Sequence, residues 1–258
     1  LKYVIVVIFL VLLLLFLYML YLAFQVNVKK HTFRINEMKD GQQFHLFFIS
    51  DIHRRKISDK LIYSLMGAVD IVVIGGDLTE KGVPLKRTEK NLQLLSKLGE
   101  VYYVYGNNDR EVGEQLLNSL LAENGVCILN NKSVAINTDF TPIRLVGIND
   151  GFSGKVNIYD AFQDVVKDEI IIFVTHAPAF FHNAKRVASP HLLLAGHLHG
   201  GQIRFGPFGI YENGAFKLKE NSAELVSNGF GTTGVPFRLG AKSECHVITL
   251  FGSAERNE

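Results

Sequence analysis

Five short blocks of the sequence gather imidazole, carboxylate and carboxamide side chains. FFISDIH carries Asp51 and His53, and IVVIGGD ends in Asp77. YVYGNND ends in Asn107, Asn108 and Asp109, and IIFVTH ends in His176. AGHLHGGQ carries His197 and His199. His, Asp and Asn together suit a borderline divalent cation better than Ca²⁺ or a thiolate-bound ion. The two cysteines, Cys127 and Cys245, stand far apart with no CxxC spacing and form no competing set. Each block alone has a bland reading. DxH and GGD are common turns, and HxH on a strand would put both imidazoles on one face with or without a metal. Four of the blocks directly end apolar runs, and that joint placement favours the metal reading.

Such blocks need elements that deliver them to one place. FHLFFIS, DIVVIGGD and VYYVY are short, apolar and β-branched or aromatic, and they end in turn chemistry, as buried strands do. Between them, 57–66 and 84–98 carry helical spacing, and 111–124 follows with the same pattern before Gly125. Alternating strands and helices imply parallel β-α-β units, whose ligands collect outside the carboxyl ends of the strands. The second half is richer in strands: KSVAINT with PIRLVGI, then EIIIFVTH, HLLLAGH, AELVSNG and CHVITLF. A short helix is expected over 158–166, and 200–216 is rich in Gly and Phe. The residues alone predict one α/β domain with an enlarged antiparallel portion.

The order of the blocks resembles the calcineurin-like metallophosphoesterase superfamily: Asp-x-His, Gly-Gly-Asp, Gly-Asn-His-Asp, a lone His, then Gly-His-x-His. It stands here as DIH, GGD, GNND, TH and GHLH. GHLHGGQIRFGPFG is similar to the membrane-anchored bacterial branch. The resemblance implies an αββα sandwich of two mixed β-sheets flanked by helices. It implies two divalent ions, Mn, Fe or Zn. Asp51, His53, Asp77 and His199 would hold one, and Asp77, Asn107, His176 and His197 the other, with Asp77 as the bridge. A bridging hydroxide would then attack a phosphomonoester or phosphodiester. Two M²⁺ ions less two carboxylates and that hydroxide leave about one positive charge for the phosphoryl group.

One position departs from the pattern. The family has His where this chain has Asn108, and the following Asp109 would orient that residue. An amide can hydrogen-bond a phosphoryl oxygen but supplies no proton at neutral pH. General acid catalysis is worth roughly 10²–10⁴ in rate. Substrates with good leaving groups, a proton from His182 or Asp150, and a catalytically silent membrane scaffold are the three readings of Asn108. The intact ligand set favours an enzyme. Arg54 and Arg55 are read as phosphate contacts or as a solvated loop pair, with Arg54 and Asn108 the expected substrate contacts and Arg238 a further anion contact. Phe205, Phe208, Phe230 and Phe237 are read as either groove or core, and Phe180 and Phe181 as a cap on the site or a bilayer contact.

From Tyr3 to Phe24 the chain carries no charge. As a helix this stretch measures about 33 Å, enough for a ~30 Å hydrocarbon core. Its apolar run exceeds the ~7–15 residues of a signal peptide and lacks a clear small-x-small cleavage site. Lys29, Lys30, Arg34 and Lys39 outnumber Lys2 across the segment, which predicts a single-pass membrane protein with its main domain in the cytoplasm. The expected boundaries are 1–25 for the anchor, 26–43 for a linker, 44–252 for the domain and 253–258 for a polar tail. A net charge of +2 gives no field for nucleic acid. The expected partners are a phosphate ester, a lipid or lipid-linked phosphate among the options, and the membrane itself.

Overall fold

The computed structural model describes residues 1–138 and 141–252, so the polar tail lies outside the described residues. Two six-stranded sheets stack face to face. The first sheet orders β1 (Val28–Arg34), β12 (Cys245–Phe251), β2 (Gln43–Ile49), β3 (Ile71–Ile74), β4 (Glu100–Tyr103) and β5 (Cys127–Ile128). The second orders β10 (Ala215–Leu218), β11 (Ala223–Val226), β9 (Leu192–Ala195), β8 (Ile170–Val174), β7 (Ile143–Gly147) and β6 (Lys132–Ile136). β2 through β5 run parallel, as do β7, β8, β9 and β11. β12, β6 and β10 meet those runs antiparallel. Both sheets are therefore mixed, as expected.

Strand periodicity separates the layers. Leu46 and Phe48 of β2 face the second sheet and join Val73, Leu145, Ile172 and Leu194 in the central core. Phe47 and Ile49 point the other way, into a core closed by α2 (Asp59–Leu65), α3 (Leu85–Leu95) and α4 (Glu114–Glu123). On the far side, α5 (Ile158–Phe162) and α6 (Phe181–Val187) cover Ile171, Phe173 and Leu193. The layer order is αββα. The helices are shorter than the apolar spacing predicts: α3 ends at Leu95 and α5 at Phe162.

The expected linker is partly a strand. Residues 28–34 pair in parallel with β12, from Val28 beside Cys245 to Arg34 beside Phe251. Only Phe33 is buried in this strand, and two lysines, a threonine and an arginine face solvent. An edge strand needs one partner ladder and little apolar surface, and charge on it discourages further pairing. Its composition therefore reads as linker, while its backbone belongs to the domain.

α1 (Lys2–Phe24) precedes this sheet. It is long and apolar enough to cross a membrane, and no residue of its most apolar stretch is buried by the rest of the chain.

Candidate metal centre

The carboxyl ends of the parallel strands in both sheets meet in one cleft. β2 delivers Asp51 and His53, β3 Asp77, β4 Asn107, β8 His176, and β9 both His197 and His199. Side chains must turn sharply off a strand to reach a common point, and the backbone records this. Of the eight non-glycine residues with positive φ among those described, Asp51, His53, Asp77, His197 and His199 are five. Such strain collects where surrounding structure over-determines a site. His197 and His199 thus leave the strand before they turn inward. They serve opposite sides of the cleft rather than one face, because both occupy left-handed conformations.

The backbones also come very close. A Cβ on Gly106 would lie 2.2 Å from Asp77 Oδ1 and 2.3 Å from the Asp77 amide nitrogen. One on Gly196 would lie 2.3 Å from Asp51 Oδ2. Glycine is what the approach of these loops requires.

Two imidazole pairs face each other across the cleft. His53 Nε2 lies 3.2 Å from His199 Nε2, and His176 Nε2 lies 3.2 Å from His197 Nδ1. Asp77 Oδ2 sits between the pairs, 3.6 Å from His53 Nε2 and 3.3 Å from His176 Nε2. Asp51 Oδ1 lies 3.3 Å from His199 Nε2. Asp51, His53 and His199 form one group that could hold an ion, and Asp51, Asp77 and His176 another. Asn107 Oδ1 is buried with no hydrogen-bond partner. Such an orphan costs about 1–3 kcal/mol unless something else fills its lone pairs. Facing ring nitrogens, bracketed carboxylates and an unfilled amide oxygen all fit a bound divalent cation.

Two of the four imidazoles already carry the charge that fit requires. Burial pushes His199 down to about 3, with His53 and Arg238 adding to it against Asp51. Burial and His176 also lower His197. Both rings are therefore neutral at neutral pH, the form a metal needs. Burial would lower His176 as well, but the Asp77 carboxylate holds it up at about 10. Burial works to raise Asp77, yet His176, His53 and the Asn108 amide together hold it below the usual carboxylate range.

The GNND loop answers for each of its polar residues separately. Asn107 offers its orphan oxygen. Asn108 donates its backbone N–H to Asp77 Oδ1 at 2.8 Å, and its Nδ2 donates to Glu111 Oε1 at 3.1 Å. Asp109 does not face the Asn108 side chain, contrary to the sequence expectation. Its carboxylate accepts from the amides of Asp77, Gly106 and Thr79 at 2.7–3.0 Å. It is fully buried against Asp77, and these two effects push it up to about 7. Three converging amides attract a carboxylate more strongly than one side-chain amide does.

The expected anion contacts are differently engaged. Arg54 is mostly exposed, bonds Glu80 and is not among the residues lining the cleft. Arg55 is buried and donates to the carbonyls of Phe24 and Gln25 at 2.8 and 2.9 Å, tying the end of α1 to the domain. Its guanidinium also sits 4.0 Å from the Phe230 ring, which is core. Arg238 is buried too, and its guanidinium is occupied by carbonyls, among them those of Asn228, Gly231 and Ala241. Buried guanidinium groups far from their aqueous hydration need such acceptors. Of the alternative proton sources, His182 is exposed on α6, and Asp150 is buried, with Oδ2 accepting from the amides of Phe152 and Ser153. Phe180 packs against Gly151, while Phe181 joins the outer core.

Two contributors lie outside the sequence reading. Glu80 Oε2 stands 2.9 Å from His53 Nδ1, where a carboxylate would fix the orientation of a metal-binding imidazole. Its only signal was its place three residues after Asp77. Phe152 stacks on His197 at 5.1 Å, which no motif announced.

This architecture has relatives. Residues 44–201 match the model for the calcineurin-like phosphoesterase family. The chain is 40% identical over 228 residues to YpbG of Bacillus subtilis (strain 168), covering 88% of each chain. It is 30% identical over 242 residues to the metallophosphoesterase YkoQ of the same strain, covering 84% of this chain and 88% of that one. A transmembrane protein with a metallophosphoesterase domain from Danio rerio is 29% identical over 245 residues, 80% of this chain and 52% of that one. The family match takes in all seven candidate ligands from Asp51 to His199, in the order in which the two sheets deliver them, and the chain belongs to the calcineurin-like phosphoesterase family.

Proposed function

We propose that this protein is a metal-dependent phosphoesterase held at the cell membrane by α1, with its domain on the cytoplasmic side. The single observation that carries the reading is the pair of facing imidazole couples around Asp77, completed by the orphan oxygen of Asn107. Asp51, His53, Asp77 and His199 would hold one divalent ion, and Asp77, Asn107, His176 and His197 a second. Ions bound there supply Lewis acidity and make water nucleophilic at neutral pH. Two ions bound there would keep Asp77 ionised, and Glu80 fixes the orientation of His53. The Asn108 amide lines the cleft and hydrogen-bonds a phosphoryl oxygen of the substrate. With no acid at position 108, the leaving oxygen takes its proton from solvent, which favours phosphate esters with good leaving groups.

Asn108 also supports a second reading, a silent scaffold that binds metal and a phosphorylated partner without turnover. One experiment separates the two. The full chain in detergent is stripped of metal and assayed on an aryl phosphodiester with a good leaving group as Mn²⁺ is added back. Turnover that follows Mn²⁺ and vanishes in Asp77→Asn supports the enzyme. Stoichiometric metal binding without turnover on any aryl ester rejects it in favour of the scaffold.

A further inference from the structure

The mouth of the cleft is apolar on one side. The cleft, about 470 Å³, is lined by Asn107, Asn108, His197 and His199 below and by Ile210 and Tyr211 at its rim. Ile210 is 81% exposed, and Phe208 and Phe205 beside it are 78% and 68% exposed. Val235 and Pro236 are exposed on the neighbouring loop. Residues 205–211 and 232–237 contain no charged side chain at all. A contiguous exposed surface of this kind marks an interaction site.

The two loops form one ordered unit. Arg204 is buried and donates to the carbonyls of Gly200, Pro207 and Tyr211, which pins the 205–211 loop. The Arg204 amide donates to Leu239 at 2.7 Å, and Gln202 Nε2 donates to the carbonyls of Thr233 and Val235 at 3.1 and 3.0 Å. The second loop in turn touches α1. Phe237 and Phe16 have ring centroids 4.6 Å apart, and the Arg238 amide donates to the Met19 carbonyl at 3.1 Å.

That contact fixes a depth. From Phe16 to Phe24 the helix rises about 12 Å alongside the domain. Between the charge on Lys2 and the contact at Phe16, the free uncharged part, Tyr3 to Leu15, rises only about 20 Å, roughly 10 Å short of a ~30 Å hydrocarbon core. A helix that fills the core therefore carries the loop at Phe237 below the headgroups. The deficit matches the ~5–10 Å burial of interfacial apolar segments. Continuity with α1 and the lack of charge select lipid as the occupant rather than water or a polar partner.

We propose that the rim formed by 205–211 and 232–237 lies in the headgroup–acyl boundary of the bilayer, so that the cleft opens at membrane level. Its substrate class is then the phosphate ester of a membrane amphiphile. This rests on the phosphoesterase reading for the chemistry, though the placement of the rim does not. The reaction is hydrolysis: the P–O ester bond breaks, and water gives its hydroxyl to phosphorus and its proton to the leaving oxygen.

The sequence contains no tryptophan, so Phe208→Trp is a single reporter. The full chain would be reconstituted in phosphatidylcholine–phosphatidylglycerol vesicles, with and without lipids brominated near the ester end of the acyl chain. Tyr159→Trp, on α5 beyond the second sheet, is the aqueous control. The rim reading expects a blue-shifted Phe208→Trp emission, quenched severalfold by the brominated lipid and shielded from iodide, with the control the reverse. Emission that is iodide-accessible and unquenched overturns it. So does burial that follows protein concentration but not bromination, because a second copy would then cover the rim. The substrate class is read by inhibition of soluble aryl-ester turnover. Dodecyl phosphate should inhibit at least tenfold better than butyl phosphate, and Phe205→Ser/Phe208→Ser should erase most of that advantage. Equal inhibition in the unaltered protein overturns the amphiphile class. If aryl-ester turnover is absent altogether, the phosphoesterase reading and the substrate class that rests on it fail, while the quenching still decides the rim.

Discussion

Gly106→Ala is the sharpest test of how the cleft is built. The added methyl would fall 2.2 Å from Asp77 Oδ1 and 2.3 Å from the Asp77 nitrogen. A rotamer change can move the oxygen but not the backbone nitrogen, so one of the two loops must shift by about 1 Å. Overpacking of this kind costs about 1–3 kcal/mol. The shift also breaks at least one of three short bonds: the Gly106 and Asp77 amides to Asp109, or the Asn108 amide to Asp77. Each is a bond to a carboxylate, worth roughly 1.5–3 kcal/mol. The total is about 3–6 kcal/mol. For a domain of this size that lowers Tm by at least about 6 °C. The same shift carries Asn107 away, so metal affinity falls along with stability. Thermal unfolding of the metal-free protein and isothermal titration with Mn²⁺ measure both. Gly234→Ala is the control: its Cβ meets open space, and only its positive φ opposes the change. If Gly106→Ala melts within about 2 °C of the parent and binds Mn²⁺ as tightly, the close approach of the two loops does not shape the site.

Three other outcomes follow from the geometry. Asn108→His should raise turnover by roughly 10²–10⁴ on esters with poor leaving groups and little on good ones; a uniform change across a leaving-group series contradicts the missing-acid account. Glu80→Gln removes the carboxylate facing His53 Nδ1 and should weaken Mn²⁺ binding about 10–100-fold, and titration showing the parent affinity would strip Glu80 of that role. His246 is buried and is pushed by burial, with help from His31 and Lys29, down to about 3, whereas unfolded it titrates near 6.5. The unfolded chain thus binds the extra proton between those values. The contribution of His246 is intact above about pH 6.5 and declines as pH falls towards 3, by roughly 2 kcal/mol at pH 5. Urea unfolding of His246→Gln should lack that part of the decline, and parallel pH curves for the two proteins would refute it.

The sequence by itself determined the alternation of buried strands and helices, the apolar length of α1 and the identity of the blocks that end the strands. These are local properties: side-chain period, turn chemistry and residue type are written in consecutive positions. Tertiary structure decided the rest. β1 joined the first sheet because an edge strand is stabilised by its neighbour's backbone, which composition does not record. Arg54, Arg55 and Arg238 all have the chemistry of an anion contact. Which of them faces a carboxylate and which is walled in by carbonyls depends on chain segments remote in sequence. Asp109 stands next to Asn108 in the chain but faces three backbone amides, because the loops after β3 and β4 fold over it. Glu80 reaches His53 from the neighbouring strand's loop, a contact that adjacency of β2 and β3 creates. Residue types near the site could be read from the chain, but their partners depended on which strand ends the two sheets brought together.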